Sequence, residues 1–246
     1  MKKFIAVALL VATLCTLLTL TSCGNEYRLG LGVQYSATAP TDAEEDKAGA
    51  TTAAYTVCAM TIDKKGKIAS CSFDSFDAKL EYSASGAYTA LKSLKTKREQ
   101  GSDYGMVAYG GSKLEWFEQA DALAKTLVGK SKAEIAGLVT ADGKGSDEVI
   151  TAGCTITVSD FIKAAEKAYA AAEKATAGSE SSITLSVKST QSGANATDSA
   201  AGNMTVNTVF EAVCGDAKAT EAYTASVSFN QSGEASTAAS DIITAD

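Results

Sequence analysis

Histidine is absent from all 246 residues of the chain. This excludes Ser-His-Asp and Cys-His catalysis, zinc and copper sites built on histidine, and histidine-ligated haem. The sequence also has no Cys-x-x-Cys pair, no P-loop, no Gly-x-Ser-x-Gly turn and no Gly-x-Gly-x-x-Gly segment after a predicted strand. Proton transfer near neutral pH would therefore need a carboxylate, a lysine or a cysteine with a perturbed pKa. We expect any chemistry at this protein to be supplied by a cofactor.

Positive charge and proline are both scarce. The 22 lysine and arginine residues are outnumbered by 29 aspartate and glutamate residues, which gives a formal charge of −7. Because an acidic surface repels phosphates and anionic lipid headgroups, we expect no nucleic-acid partner and no electrostatic docking to a membrane. The only proline, Pro40, lies in a polar stretch from about residue 25 to 48. This stretch predicts a tether merging into a loop, with room for a short strand at about Leu29–Tyr35.

The first residues have the pattern of an export signal. Lys2 and Lys3 precede an apolar run, Phe4–Leu20, which is about as long as a signal-peptide core and short for a membrane span. The run ends in Leu20-Thr21-Ser22-Cys23, which resembles the lipobox of bacterial lipoproteins. The resemblance implies cleavage of residues 1–22, lipidation of Cys23 and a tether at residues 23–28. It places the protein on the extracytoplasmic face of the cell membrane, where loss of both lysines changes the formal charge from −7 to −9.

A β-hairpin is predicted next. Ala53–Ile62 is apolar and β-branched, Asp63–Gly66 has turn composition, and Lys67–Phe73 returns. With a two-residue loop at Lys64 and Lys65, Cys58 would lie directly opposite Cys71. The two cysteines would then either form a cross-strand disulfide, which an extracytoplasmic location permits, or pack as small apolar side chains on one face.

The middle of the chain carries helix signals. Ser112-Lys113-Leu114-Glu115 and Ser131-Lys132-Ala133-Glu134 both match a capping box and precede apolar residues at helical spacing. A third helix is predicted from about Ser159 to Ala175. A strand at 78–88 and a basic helix at 89–99 are predicted between the hairpin and the first capping box.

Two blocks of sequence recur near the C-terminus. Residues 49–59 align with 202–212, and residues 80–86 align with 227–233, with an intervening segment about six residues shorter in the second copy. The second copy ends before any equivalent of the helices. It is therefore predicted to be a β-rich partial repeat that must pack on the first copy to bury its faces.

The segment that leads into the third predicted helix is Ala152-Gly153-Cys154-Thr155-Ile156-Thr157-Val158-Ser159. Together with the stretch from Asp63 to about Ala172, it resembles the FMN-binding domain of secreted and membrane-bound bacterial flavoproteins, including subunits of sodium-pumping and Rnf-type complexes. The motif of that family is Asp-x-x-Ser-Gly-Ala-Thr-x-Thr-Ser before a helix. Gly153 and Thr155 fall on its glycine and acceptor threonine.

The chain departs from the motif at three positions. Ala152 replaces the serine, Cys154 replaces the alanine, and Val149 stands where the family has its acid. Thr157 falls on the second threonine of the motif.

The resemblance implies a covalent flavin. In the family, a flavin transferase joins FMN to the threonine through a phosphoester, and the adjoining helix N-terminus stabilises the phosphate. This implies FMN on Thr155, with Gly153 and Thr157 beside it, in an electron carrier that needs a redox partner and is not a stand-alone enzyme. The alternative is that Thr155 is a buried strand residue, in a surface binding or structural module that has lost the flavin.

The overall prediction is an α+β fold in two parts. An FMN-binding-like domain of antiparallel hairpins plus three helices is expected over residues 29–178, and the β-rich partial repeat over 179–246.

The lipobox resemblance generates a first testable prediction. Expressed with its own N-terminus in a bacterial host, the protein should lose 22 residues and partition into the detergent phase of a Triton X-114 extract. The Cys23→Ser variant should stay in the aqueous phase, because the thiol that carries the lipid is gone. Intact mass of both forms checks the result, and an unlipidated wild-type protein would contradict the prediction.

Overall fold

The computed structural model of the protein describes residues 26–45, 47–83, 91, 93–194, 203–215, 219–229 and 243–244. The predicted signal peptide and Cys23 lie outside these residues, as do parts of the predicted strand at 78–88 and of the predicted helix at 89–99. No helix in the described part of the chain is long and apolar enough to cross a membrane.

Within the described ranges, eight strands form two antiparallel sheets of four strands each. The strand order is β3-β2-β1-β4 in the first sheet and β5-β6-β7-β8 in the second. Each sheet has three long strands that neighbour one another in chain order, and a two-residue strand at one edge. The strands are β1 (Tyr27–Thr38), β2 (Gly49–Asp63), β3 (Ile68–Tyr82), β4 (Ala177–Gly178), β5 (Ile183–Ala194), β6 (Asn203–Cys214), β7 (Ala219–Phe229) and β8 (Ile243–Thr244).

The helices follow β3 in the chain and pack on one face of the first sheet. Two of them are long enough to bury an apolar stripe: α2 packs against β3, and α5 packs against β1 and β2. The helices are α1 (Lys97–Gln100), α2 (Trp116–Leu127), α3 (Lys132–Ile135), α4 (Asp147–Thr151) and α5 (Ser159–Ala172), with 3-10 turns at Gly101–Tyr104 and Ala136–Leu138.

The first sheet is the middle layer of three. In β2, Cys58, Met60 and Ile62 pack against the helices, whereas Val57 and Ala59 face the second sheet. This is the two-residue period of a strand whose two faces are both covered. The helix side and the sheet side of β2 therefore belong to two separate hydrophobic cores.

Aromatic side chains bridge the layers on both sides. Between the two sheets, the rings of Tyr55 and Phe210 lie edge to face with centroids 5.4 Å apart. On the helix side, the Phe161 ring lies 5.3 Å from that of Phe73 and 5.7 Å from that of Trp116. Such pairs stabilise the layers beyond the apolar area that they bury.

Helix α5 approaches β1 unusually closely. A Cβ atom added at Gly30 would lie 2.0 Å from the carbonyl oxygen of Ala168, and one added at Gly32 would lie 2.2 Å from that of Ala164. No side chain fits at these distances, so the two glycines allow the backbone of α5 to rest directly on the strand.

The sequence-based prediction of an α+β fold with antiparallel sheets is confirmed. The capping box at Ser131 is also confirmed, because its hydroxyl and the carboxylate of Glu134 cap α3 reciprocally. The third predicted helix is present as α5, and it ends at Ala172.

Three local predictions were wrong. Helix α2 is capped by Glu115, not by Ser112. Residues 78–82 are the end of β3 and not a separate strand, because the hairpin strands are longer than their apolar runs. Among the described residues of the predicted basic helix at 89–99, residues 91 and 93–96 are not helical, and the α1 helix that begins at Lys97 is a single turn.

The recurring blocks lie on corresponding strands of the two sheets. Residues 49–59 are in β2 and residues 203–212 are in β6, each the second strand of its sheet. The described parts of the other blocks, residues 80–82 and 227–229, end β3 and β7. The repeat itself stays a prediction.

The hairpin between β2 and β3 has a different register from the predicted one. Its loop has four residues, because the Asp63 carboxylate accepts hydrogen bonds from the backbone N–H groups of Lys65 and Lys67, both 2.8 Å. Cys58 therefore lies opposite Phe73 and not opposite Cys71. The shift is an even number of residues, so both cysteines remain on the face toward the helices.

The glycines under α5 generate a stability prediction. Gly32→Ala should lower the free energy of unfolding by about 1–3 kcal/mol or more, because the new methyl group meets helix backbone. Gly137→Ala is the matched control, since a Cβ atom there meets nothing within 4 Å. It should change stability by about 0.5 kcal/mol or less, or slightly increase it. Urea unfolding of both variants checks this, and equal midpoints would contradict it.

Candidate functional site

A pocket lies where the start of α2 meets the turn between α4 and α5. Its volume is about 410 Å³, within the range of small-molecule sites. Two of the three residues that the sequence assigned to the cofactor, Gly153 and Thr155, line it; Thr157 does not. The lining residues are Gly111, Ser112, Lys113, Leu114, Gln119, Ile150, Gly153 and Thr155.

Gln119 holds the pocket together. Its side chain is only 1% exposed. Its amide nitrogen donates to Ser112 Oγ (3.0 Å) and to the Leu114 carbonyl oxygen (3.1 Å). Its amide oxygen accepts from both the backbone N–H and the hydroxyl of Thr155, at 2.8 and 3.0 Å. One buried amide therefore connects segments that are 36 residues apart in the chain.

The N-terminus of α2 is closed by its own acids. Glu115 caps the helix, and the Glu118 carboxylate accepts from the Glu115 N–H at 2.8 Å. The same Glu115 carboxylate also holds the turn that contains Met106 and Val107. It accepts hydrogen bonds from the backbone N–H groups of Met106 (3.0 Å) and Val107 (3.2 Å). Two carboxylates already satisfy the helix dipole, so this helix end is not an anion site.

The turn before Thr155 requires a glycine. Gly153 follows α4 with φ +109°, and an added Cβ atom would lie 3.2 Å from Leu114 Cδ1. The Cys154 N–H closes the turn by donating to the Val149 carbonyl oxygen at 3.1 Å. Thr155 itself is exposed and lies outside any strand, so the interpretation of it as a buried strand residue was wrong.

The remaining motif positions have other surroundings. Thr157 is exposed, and its hydroxyl accepts from Lys144 Nζ at 3.3 Å outside the pocket. Val149, at the position of the motif acid, is fully buried. Cys154 is buried as well, and this burial raises the pKa of its thiol to about 11. Cys154 therefore acts as a small core residue and not as a reactive thiolate.

The predicted cysteine pair lies on the helix side of the sheet, away from the pocket. The Sγ atoms of Cys58 and Cys71 are 3.6 Å apart, and both residues carry free thiols. Burial, followed by the contact with Cys71, raises the pKa of the Cys58 thiol well above its ordinary value. The two cysteines are in contact as free thiols, and a disulfide between them stays a prediction.

Sequence reasoning missed Gln119, Lys113 and Ile150. Gln119 carried a signal, because it is a polar residue on the face of α2 that otherwise buries Trp116, Ala120 and Leu123. A buried amide on an apolar helix face needs partners, and here those partners are the pocket walls. In the described part of the chain, no cluster of three or more potential ligands could hold a metal ion.

Neither a protein-family model nor a curated protein nor a solved structure matches this chain.

The role of Gln119 generates a stability prediction. Gln119→Met keeps the apolar stem but leaves the Leu114 carbonyl oxygen and the Thr155 N–H without their partner. We expect the free energy of unfolding to fall by about 1–3 kcal/mol. Gln100→Met is the matched control. The Gln100 amide donates to the Lys95 carbonyl oxygen at the surface and to that of Thr96, which also accepts from the Gln100 backbone N–H. This variant should cost about 0.5 kcal/mol or less in the same urea titration; an equal loss in both variants would argue against a special role for Gln119.

Proposed function

We propose that this protein is an extracytoplasmic lipoprotein that carries FMN covalently on Thr155 and transfers electrons between a membrane donor and an external acceptor. The observation that supports the proposal is the position of Thr155. Its side chain is exposed, follows a glycine turn and lines a pocket of about 410 Å³.

The residues around the pocket fit the phosphate end of such a group. Thr155 offers a hydroxyl at the pocket wall, and Lys113 provides a cation for a phosphoester. Leu114 and Ile150 give the pocket an apolar side, and Ile150 is 46% exposed. The volume of the pocket is compatible with a nucleotide-sized ligand.

The chain's own residues would orient and shield the group. The Gln119 amide oxygen holds the Thr155 hydroxyl and N–H, which fixes the direction of the hydroxyl toward the pocket wall. Esterification replaces the hydroxyl hydrogen, so the Gln119 oxygen would keep only its bond from the Thr155 N–H. Lys113 would neutralise the phosphoester charge, and Leu114 would limit water access. A bound flavin supplies one- and two-electron transfer.

The second candidate function is a binding module that uses the same pocket without flavin. It is favoured by Val149, which is fully buried where the family motif places an acid. An acid at the surface is available to a modifying enzyme, whereas a buried valine is not. In this case Gln119 and Thr155 would bind a polar ligand by hydrogen bonds alone.

The proposal is tested by covalent modification. The soluble part of the chain, residues 24–246, is exported from a host that also produces a bacterial flavin transferase. We expect its intact mass to increase by one FMN and the protein to absorb visible light. Thr155→Ala should abolish both signals, because the ester oxygen is lost.

Thr151→Ala is the matched control, since Thr151 is exposed four residues earlier at the end of α4 and does not line the pocket. It should keep the modification. If the wild-type chain stays unmodified while a known substrate of the transferase is modified in the same host, the flavin proposal fails and the binding module is favoured.

A further inference from the structure

A second pocket lies on the other side of α5, away from Thr155. It has a volume of about 470 Å³ and lies between the second half of α5 and the start of β7. Alanine methyl groups form its helix wall, which leaves space beside the helix. The polar side chains that line it are Lys167, Lys174, Glu221 and Tyr223.

The helix side of this pocket provides two lysines, Lys167 and Lys174, neither of which forms an ion pair with a described residue. Lys167 Nζ donates to the Val33 carbonyl oxygen at 2.9 Å, which fixes the ammonium group and leaves two of its N–H groups unused. Burial, and then the charge of Lys163, lower the pKa of Lys167, although Asp160 acts in the opposite direction. Lys174 makes no side-chain hydrogen bond or ion pair with any described residue.

The strand side provides an acid without a matching cation. Burial raises the pKa of the Glu221 carboxyl, and no described residue donates to it or pairs with it. The Tyr223 hydroxyl has no hydrogen-bond partner among the described residues either. Burial, followed by the Glu221 charge, raises the pKa of Tyr223. Among the described residues, the strand side therefore offers Glu221 and Tyr223 neither a hydrogen-bond donor nor a positive charge.

The lysines on the helix side and Glu221 on the strand side do not pair with each other. No ion pair within 4.0 Å connects either lysine with Glu221, although all three line one pocket. Opposite charges that face the same space without meeting leave room for a molecule between them. A ligand with both a carboxylate and an ammonium group would pair with both sides at once, and each pairing would be a charge-assisted hydrogen bond.

We propose that this pocket binds a small zwitterion, either a free α-amino acid or a short peptide. The carboxylate lies against Lys167 and Lys174, and the ammonium group lies against Glu221 and the Tyr223 oxygen. This site is separate from the Thr155 pocket and does not depend on flavin.

The test uses the flavin-free soluble part of the chain, residues 24–246, in calorimetric titrations at pH 7. The probes are L-alanine, L-phenylalanine and trialanine, with sodium acetate and methylammonium chloride as single-charge comparisons. At least one zwitterion should bind with a Kd about tenfold or more below that of acetate and of methylammonium. Binding of trialanine alone would identify a peptide ligand, and binding of alanine or phenylalanine alone would identify a free amino acid.

The variants assign the binding to this pocket. Glu221→Gln and Lys174→Met should each weaken the zwitterion by about tenfold or more, since each removes a charged partner. Lys125→Met is the matched control: this lysine is exposed on α2 and does not line the pocket. Tyr223→Phe keeps the packing and removes only the hydroxyl, so it tests the site if another variant fails to fold. No zwitterion binding, equal binding of acetate, or unchanged binding in all pocket variants would overturn the proposal.

Discussion

Helix α5 lies so close to β1 that glycine alone fits at Gly30 and Gly32. Much of the structure depends on this contact. The helix contributes small residues to it, mainly Ala164 and Ala168, so two backbones meet with almost nothing between them. Val158, just before the helix, is fully buried as well. The seating of α5 therefore sets where the preceding turn lies, and it holds Thr155 within reach of Gln119.

The middle position of the first sheet explains which elements the sequence predicted. Residues Val57–Ile62 are buried at every position because both faces are covered, and all but Thr61 are apolar. The run therefore predicts a strand but not the partner of each face. The Ser131 cap and the turn at Asp63 were predictable because each is completed by residues within four positions. The true start of α2 was not predictable. Glu115 and Glu118 form a second capping pair three residues after Ser112 and Glu115, and the local pattern does not show which of the two pairs caps the helix.

In the candidate site, too, the features set by local sequence were predictable and the contacts between distant residues were not. A short motif was enough to select Gly153 and Thr155, because the turn and the exposed hydroxyl are local properties. Gln119 could not be assigned to them from sequence, since 36 residues separate it from Thr155 and only the packing of α2 brings them together. The predicted position of Cys58 opposite Cys71 was wrong for a related reason. The turn at Asp63 lengthens the loop and a register shift follows between Thr61 and Ile62, so the partner of Cys58 moves by two positions.

The Thr155 pocket borders the segment before α5 and the second pocket borders the far half of that helix, so the fit of α5 on the glycines has a consequence for how the two pockets communicate. The segment before α5 borders one pocket and its second half borders the other, about 20 Å apart by helical rise. A helix that could slide along the strand would couple the two ends. With helix backbone already against Gly30 and Gly32, sliding would press the Ala164 and Ala168 carbonyl regions into the strand. The helix therefore acts as a fixed spacer. A ligand in one pocket should leave the affinity of the other pocket unchanged, so the two binding free energies should add.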